Sequence, residues 1–311
     1  VLEPNGVRAE SIENLWWFAL AIAVLVYAAT IGALAWAAWR ARQRERRGEL
    51  RDADEARKMS VAVSAGVAAT VVILLVFFGA DLVVGRTLRA PVERDHLLVK
   101  VTGYQWWWKV EYPDSVPQRW ITDANEMHVP TGKPVLVELT SNDVIHSLWI
   151  PNLGGKKDLI PRYRDTLWFQ ADRPGVYRSQ CAEFCGHQHA KMALHVVAQA
   201  PADFDAWLAA QARPAAAPAT AQLARGRQAF LERRCDACHA VRGVTGGLPD
   251  RETAGPDLTH VGSRLYLAAG TLPTHQGTLA GWIADPHSIK PGVRMPAATG
   301  LQGDELRALA A

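Results

Sequence analysis

Two long uncharged apolar runs limit what this chain can become. From Leu15 to Trp39 no charged residue occurs, and the run is mostly Leu, Ala, Val, Ile and Trp. A helix of that length crosses a bilayer core of about 30 Å, and a core helix in water is rarely apolar on every face for so long. Trp16 and Trp17 at one end, with Trp36 and Trp39 at the other, suit the two interfacial belts. A second run, Met59 to Ala80, is centred on Val71–Phe78. A signal peptide would have a shorter apolar region and a cleavage site. Between the runs, residues 40–58 carry Arg40, Arg42, Arg44, Arg46, Arg47, Arg51, Arg57 and Lys58 among acids. The pattern predicts a helical hairpin with spans at about 15–39 and 59–80. Its basic link is cytoplasmic by the positive-inside rule, and everything after Asp81 faces outward.

The rest of the 311 residues is long enough for two further domains. The net charge of +3 is too small to indicate a nucleic-acid partner. The four Cys fall into two pairs, each inside a motif that suits a cofactor, so none is left for a structural disulfide. The first residue is Val1, which fits either a processed presequence or a trimmed start.

From Leu97 the periodicity changes. Leu97–Thr102 alternates and is β-branched, and strand-like segments follow near Trp106–Tyr112, Glu126–Val129, Pro134–Thr140, Leu148–Ile150, Asp165–Ala171, Gly175–Ser179 and Met192–Ala198. Short strands separated by Pro, Gly and Asn turns predict a β-sandwich or barrel. Between the last two segments, Cys181–Met192 places two thiols, an imidazole and a thioether in one loop. Sulfur with imidazole suits copper and also zinc. Two Cys at this spacing can bridge a metal pair, and in an oxidising compartment they can form a disulfide. A mononuclear blue-copper site needs one Cys rather than two. A further nitrogen is offered by His146 in Ser141–Ser147, while His187 and His195 fall outside the ligand pattern.

The pattern Cys-x-Glu-x-Cys-Gly-x-x-His-x-x-Met, with Asp-Val-x-His-Ser upstream, resembles the dinuclear CuA site of cytochrome c oxidase subunit II, a cupredoxin-like Greek-key barrel. The resemblance implies that Cys181 and Cys185 bridge both coppers. His146 and Met192 then complete one copper, and His189 with the Glu183 carbonyl completes the other. It also implies that the Glu183 side chain helps to hold magnesium at the interface with subunit I. Gly103–Tyr112 resembles the family's aromatic segment Gly-His-Gln-Trp-x-Trp, with Tyr104 in place of the His. By that resemblance Trp106 is the point of electron entry, whereas Trp107 and Trp108 read as packing residues. Ile160-Pro161-Arg162 departs from the family's Ile-Pro-Gly-Arg, in a segment that meets the catalytic subunit.

After a short helical run, Pro201–Ala210, the Pro/Ala-rich stretch to Thr220 reads as a semi-rigid linker. Beyond it, Cys235-Asp236-Ala237-Cys238-His239 is the Cys-x-x-Cys-His motif of covalent c-type haem attachment, with His239 as proximal ligand. Gly255-Pro256-Asp257-Leu258 resembles the segment whose Pro carbonyl orients that imidazole, and Met295 matches the distal ligand of class I cytochromes c. His260 and His275 are rival distal ligands. The final helical run, Gly303–Ala311, is short and reads as a domain cut short.

The expected organisation is therefore an N-terminal segment and membrane hairpin (1–95), an all-β CuA domain (96–200), a short helix and linker (201–220) and an all-α cytochrome c domain (221–311). As a whole the chain resembles subunit II of a caa-type haem–copper oxidase. That implies electron transfer from an external donor (a cytochrome c or a quinol-oxidising complex) to haem c, then CuA, then subunit I of the oxidase. It also implies further oxidase subunits as partners and a bacterial plasma membrane with both cofactor domains on the periplasmic side. The rival readings are a CuA-type nitric oxide reductase subunit and a membrane-anchored electron carrier or copper-delivery protein. The linker implies a high effective concentration of donor beside acceptor.

Overall fold

The computed structural model describes residues 3–48, 54–88, 95–116, 119–246, 255–301 and 303–311. Arg51, in the predicted link, lies outside the described residues. The chain forms two compact units, Glu10–Arg89 and the remainder.

The first unit is built on α1 (Val7–Arg47) and α2 (Asp54–Thr87). Both helices are long and apolar enough to cross a membrane, and their apolar side chains are exposed all round. They outrun the predicted spans because the charged flanks stay helical. Arg44, Arg46 and Arg47 sit in the last turn of α1, where cations favour the carbonyl end of the dipole. Phe18 and Phe77 stack at 6.4 Å between the helices.

The second unit begins with the first residues of the chain. The Asn5 N–H donates to the Asn152 carbonyl and Arg8 Nη1 to the Trp168 carbonyl. A Cβ on Gly6 would lie 2.1 Å from the Gln170 carbonyl oxygen, so the approach needs glycine. The β-module follows: β1 (Leu97–Tyr104), β2 (Trp107–Tyr112), β3 (Ile121–Ala124), β4 (Glu126–Pro130), β5 (Val135–Ser141), β6 (His146–Trp149), β7 (Lys156–Leu159), β8 (Asp165–Phe169), β9 (Gly175–Arg178), β10 (Gln180–Cys181) and β11 (His195–Gln199). One sheet runs β3-β2-β1-β5-β8 and two smaller ones run β10-β6-β7 and β4-β11-β9. The β1/β5 and β4/β11 pairs are parallel, and the other pairs within these sheets are antiparallel.

Alternation places Val99 and Val101 of β1 and Val135, Val137 and Leu139 of β5 in one core with Trp108, Met127, Leu148 and Val196. Cys181, Cys185 and Met192 belong to the same core. The predicted last strand starts at His195 rather than Met192, because Met192 and Leu194 are spent returning the loop: their carbonyls accept from the Cys181 and Ser179 N–H groups.

Next come α3 (Pro201–Gln211), α4 (Ala221–Glu232), β12 (Tyr266–Leu267), β13 (Leu272–Pro273), α5 (Gln276–Ala284), α6 (Pro286–Ile289) and α7 (Gly303–Leu309). Thr220 caps α4 by accepting from the Leu223 N–H. The helices α4 and α7 meet where a Cβ on Gly226 would strike the Ala308 carbonyl at 2.1 Å. The stretch read as a semi-rigid linker is pinned rather than free. Arg242 Nη1 donates to the Ala212 carbonyl, His260 Nε2 to that of Arg213, and the Ala215 N–H to that of Arg242.

Candidate functional site

Six donor atoms converge at one end of the β-module. Cys181 at the end of β10 and Cys185 in the loop bring their Sγ atoms to 3.7 Å. His146, the first residue of β6, places Nδ1 4.0 Å from Cys181 Sγ. His189 Nδ1 lies 3.6 Å and Met192 Sδ 3.8 Å from Cys185 Sγ. The Glu183 carbonyl oxygen is 3.3 Å from Cys181 Sγ. His146 and Met192 have no exposed surface, the two Cys almost none, and the Glu183 side chain faces solvent. His187 is exposed and stands apart from the donor set, as does His195.

Two supports fix His146. Its Nε2–H donates to Asp143 Oδ1 at 2.9 Å, which leaves Nδ1 toward the sulfurs. Behind the ring, a Cβ on Gly103 would lie 2.7 Å from Cδ2, so β1 must carry glycine there. Burial opposes the Asp143 charge, but hydrogen bonds from His146 and from the Gln105 and Val144 N–H groups outweigh it and hold this carboxyl below the usual range. In the thiol pair, the hydrogen bond from Cys185 favours the Cys181 thiolate, and that thiolate in turn pushes the Cys185 thiol up. Asp143 and Gly103 fall inside the two motifs read from the sequence, but sequence reasoning assigns a role to neither. Their signals were an acid three residues before the His and a glycine opening the aromatic segment.

Trp106 is joined to this loop. Its indole N–H donates to the Cys185 carbonyl at 2.9 Å, and Gln105 Nε2 donates to the same oxygen at 2.8 Å. Gly186, at φ +111°, leaves room for the indole, since a Cβ there would be 3.0 Å from Trp106 Cζ2. Trp108 is fully buried with its ring 5.8 Å from that of His146, while Trp107 stacks on Tyr104 at 4.6 Å.

The second centre lies after α4. Cys235 opens a short 3-10 turn and is half-buried, and Cys238 is exposed. His239 Nδ1–H donates to the Pro256 carbonyl at 2.8 Å, so Nε2 is the nitrogen left for a ligand. A Cβ on Gly255 would lie 2.6 Å from His239 Cε1. Burial lowers the His239 pKa, which keeps the imidazole neutral, the form a metal needs. Met295 follows α6 in irregular chain and is half-buried. The rival histidines are occupied elsewhere: His260 donates to Arg213, and His275 caps α5 through Thr278. In this module Leu258, Leu279, Trp282 and Ile283 are half-buried, Leu231, Leu265 and Tyr266 are exposed, and Leu267 is buried. The hydrophobic core cluster contains none of them.

The two modules dock through specific contacts. Arg264 Nε donates to Asp123 Oδ1 at 2.6 Å, with both side chains buried. The Leu265 N–H donates to Glu126 Oε2 and the Ala193 N–H to the Ala269 carbonyl, and His195 stacks on Tyr266 at 4.2 Å. The expected tether is thus a seated pair of domains.

Comparison with known proteins identifies the two modules. Residues 97–199 match the model of the family described as cytochrome c oxidase subunit II, periplasmic domain, and residues 223–311 match that of cytochrome c. The chain is 36% identical over 246 residues to cytochrome c oxidase subunit 2 of Alkalihalophilus pseudofirmus, which covers 77% of this chain and 69% of that protein. It belongs to the cytochrome c oxidase subunit 2 family. Cytochrome c oxidase subunit 2 of Bacillus sp. strain PS3 is 34% identical over 65% of this chain, and the match spans 57% of that relative's length. The crystal structure of the periplasmic domain of subunit II of cytochrome oxidase from Bradyrhizobium japonicum is 32% identical over 38% of this chain and 94% of that one, with a TM-score of 0.36. As a member of this family with a cytochrome c domain, the chain combines a cupredoxin-like module, to which copper belongs, with a helical module, to which haem belongs.

Proposed function

We propose that this chain is the electron-receiving subunit of a membrane-bound terminal oxidase. The observation that carries the reading is the convergence of two thiols, two imidazoles, a thioether and a carbonyl in one largely buried cluster. That donor set fits a dinuclear copper: Cys181 and Cys185 as bridges, His146 and Met192 on one ion, His189 and the Glu183 carbonyl on the other. Cys235 and Cys238 as thioether links, with His239 and Met295 as axial ligands, fit a covalent haem c. The half-buried apolar residues and the two supports of His239 fit a module whose core is completed by the ring. With both groups bound, they supply the one-electron chemistry that carries electrons from an external donor, a cytochrome c or a quinol-oxidising complex, to the oxygen-reducing subunit.

The protein's own part is positional. Asp143 and Pro256 select the ligating nitrogen of each His, and the β-core excludes water from the thiols. The Trp106 indole ties the aromatic segment to the metal loop. The exposed Glu183 side chain is free to share magnesium with subunit I. The two helices anchor the subunit in a bacterial plasma membrane, and the basic residues at the end of α1 keep the outer modules on the periplasmic side.

The test is oxygen uptake driven by a reduced donor in membranes that carry this chain with its haem-binding partner. Cys185→Ser abolishes uptake on this reading. Uptake unchanged in that variant, or consumption of nitric oxide without oxygen uptake, contradicts it.

A further inference from the structure

Lys290 is the most unusual buried side chain of the second unit. It is 1% exposed, and among the described residues it has no carboxylate within ion-pair distance. Its Nζ donates instead to three carbonyls: Lys191 at 2.8 Å, Trp106 at 3.2 Å and Ala268 at 3.2 Å. Two of these belong to the β-module and one to the helical module. Burial lowers the pKa of this ammonium to about 7, with Lys191 as a second cause. A buried cation is costly unless its hydrogen bonds are met, so the site is held only while the two modules are seated together.

Its surroundings show what it joins. Lys191, one of its acceptors, is the neighbour of Met192. Trp106, another, donates its indole N–H to the Cys185 carbonyl. On its own side, Lys290 begins the short segment that leads to Met295. The chain on either side of Lys290 lies on the same two elements. Lys191 Nζ donates to the Ile289 carbonyl, Gln188 Nε2 to that of Pro291, and Arg294 Nη2 to Gln105 Oε1.

We propose that Lys290 is a positioning residue that seats the Met295-bearing segment of the haem module on Trp106 and the copper loop, and so sets the electronic contact between the two centres. The inference rests on the proposed function for its electron-transfer half and on geometry alone for its docking half. Hydrogen bonds from Lys290 to Trp106 and from Trp106 to Cys185 then form an unbroken link from the haem module to the copper loop. Trp106 is itself buried, at 8% exposure, so on this reading external donors meet the haem module instead.

The test uses the full chain loaded with copper and haem, as wild type and as Lys290→Met, which keeps the length and removes the ammonium. Hydrogen exchange of residues 188–192 and 289–294 reads docking, and pulse radiolysis reads electron equilibration between the two centres. Losing one charge-assisted hydrogen bond is about a tenfold change in local opening. The expected result is therefore exchange at least about tenfold faster in both segments, slower equilibration, and unchanged haem and copper spectra. Wild-type exchange and equilibration in K290M overturn the proposal. A second measurement needs no variant: amine acylation of the folded wild-type chain modifies the exposed Lys156 and spares Lys290. Equal modification of both overturns the seating. A wild-type chain lacking covalent haem or a copper signal sinks the functional reading, while exchange and acylation still decide the docking.

Discussion

The two candidate centres solve one problem in opposite ways. Each needs a neutral imidazole presenting a single nitrogen, and each backs that ring with a glycine that cannot carry a Cβ. His146 is tied through Nε2 to a carboxylate and offers Nδ1, whereas His239 is tied through Nδ1 to a carbonyl and offers Nε2. They differ in what surrounds the ring. The β-module has a dense core of which Cys181, Cys185 and Met192 are members, so its donors are gathered by packing and by hydrogen bonds within the protein. The described residues of the helical module contribute nothing to that core, and on the proposed reading its shape depends on the haem held by the Cys-x-x-Cys-His motif. One site is prepared for its metal by the fold; the other module is expected to be completed by its prosthetic group.

The largest effect should come from breaking that second dependence. Cys235→Ser with Cys238→Ser is expected to abolish the haem stain on a denaturing gel. It should destabilise the helical module by on the order of 5 kcal/mol or more, while the β-module transition in calorimetry stays in place. Loss of both transitions together would erase the contrast.

Next is the docking itself. Asp123→Asn leaves Arg264 buried without its partner, and removing one member of a buried pair costs about 3–5 kcal/mol. Urea unfolding should then separate the two modules into distinct transitions. The glycine supports come third. Gly103→Ala and Gly255→Ala each force a methyl group into an imidazole, at about 1–3 kcal/mol, but with different signatures. The first should perturb the copper spectrum alone and the second the haem spectrum alone.

The smallest effect concerns His195 at the docking face. Its pKa is lowered by burial first and by Arg178 second. Of the groups packed around it, Arg178 opposes its charge and Glu126 favours it, and Tyr266 stacks on it from the haem module. Because the folded pKa lies below the unfolded one, the stability carried by the neutral ring is complete above about pH 6.5. It is lost as the pH falls from there toward the folded pKa. A thermal-stability profile of His195→Phe should be flatter than wild type over that interval.

Much of this was legible before any coordinates. The apolar runs announced two helices because a membrane span requires uncharged length, and the alternation of β1 and β5 is visible in Leu97–Thr102 and Pro134–Thr140. The donor set was readable because its chemistry is local, with five of the six residues within one loop. Other features were hidden for physical reasons. The strand β7, Lys156–Leu159, is an edge strand with charged side chains, so it has no apolar period. The linker reads as a semi-rigid spacer because Pro and Ala show no core pattern, yet its backbone carbonyls are what Arg242 and His260 hold. Lys290 looks like an ordinary surface lysine, since burial among carbonyls leaves no mark on sequence. Asp123 and Arg264 are 141 residues apart, and only the docked modules bring them together.

The most direct test of the central claim is an electron paramagnetic resonance and near-infrared spectrum of the full chain loaded with copper. The account predicts a mixed-valence signal shared by two coppers, because the two thiols already face each other with a nitrogen on either side. A signal from a single isolated copper, in a chain that binds the metal stoichiometrically, would contradict it.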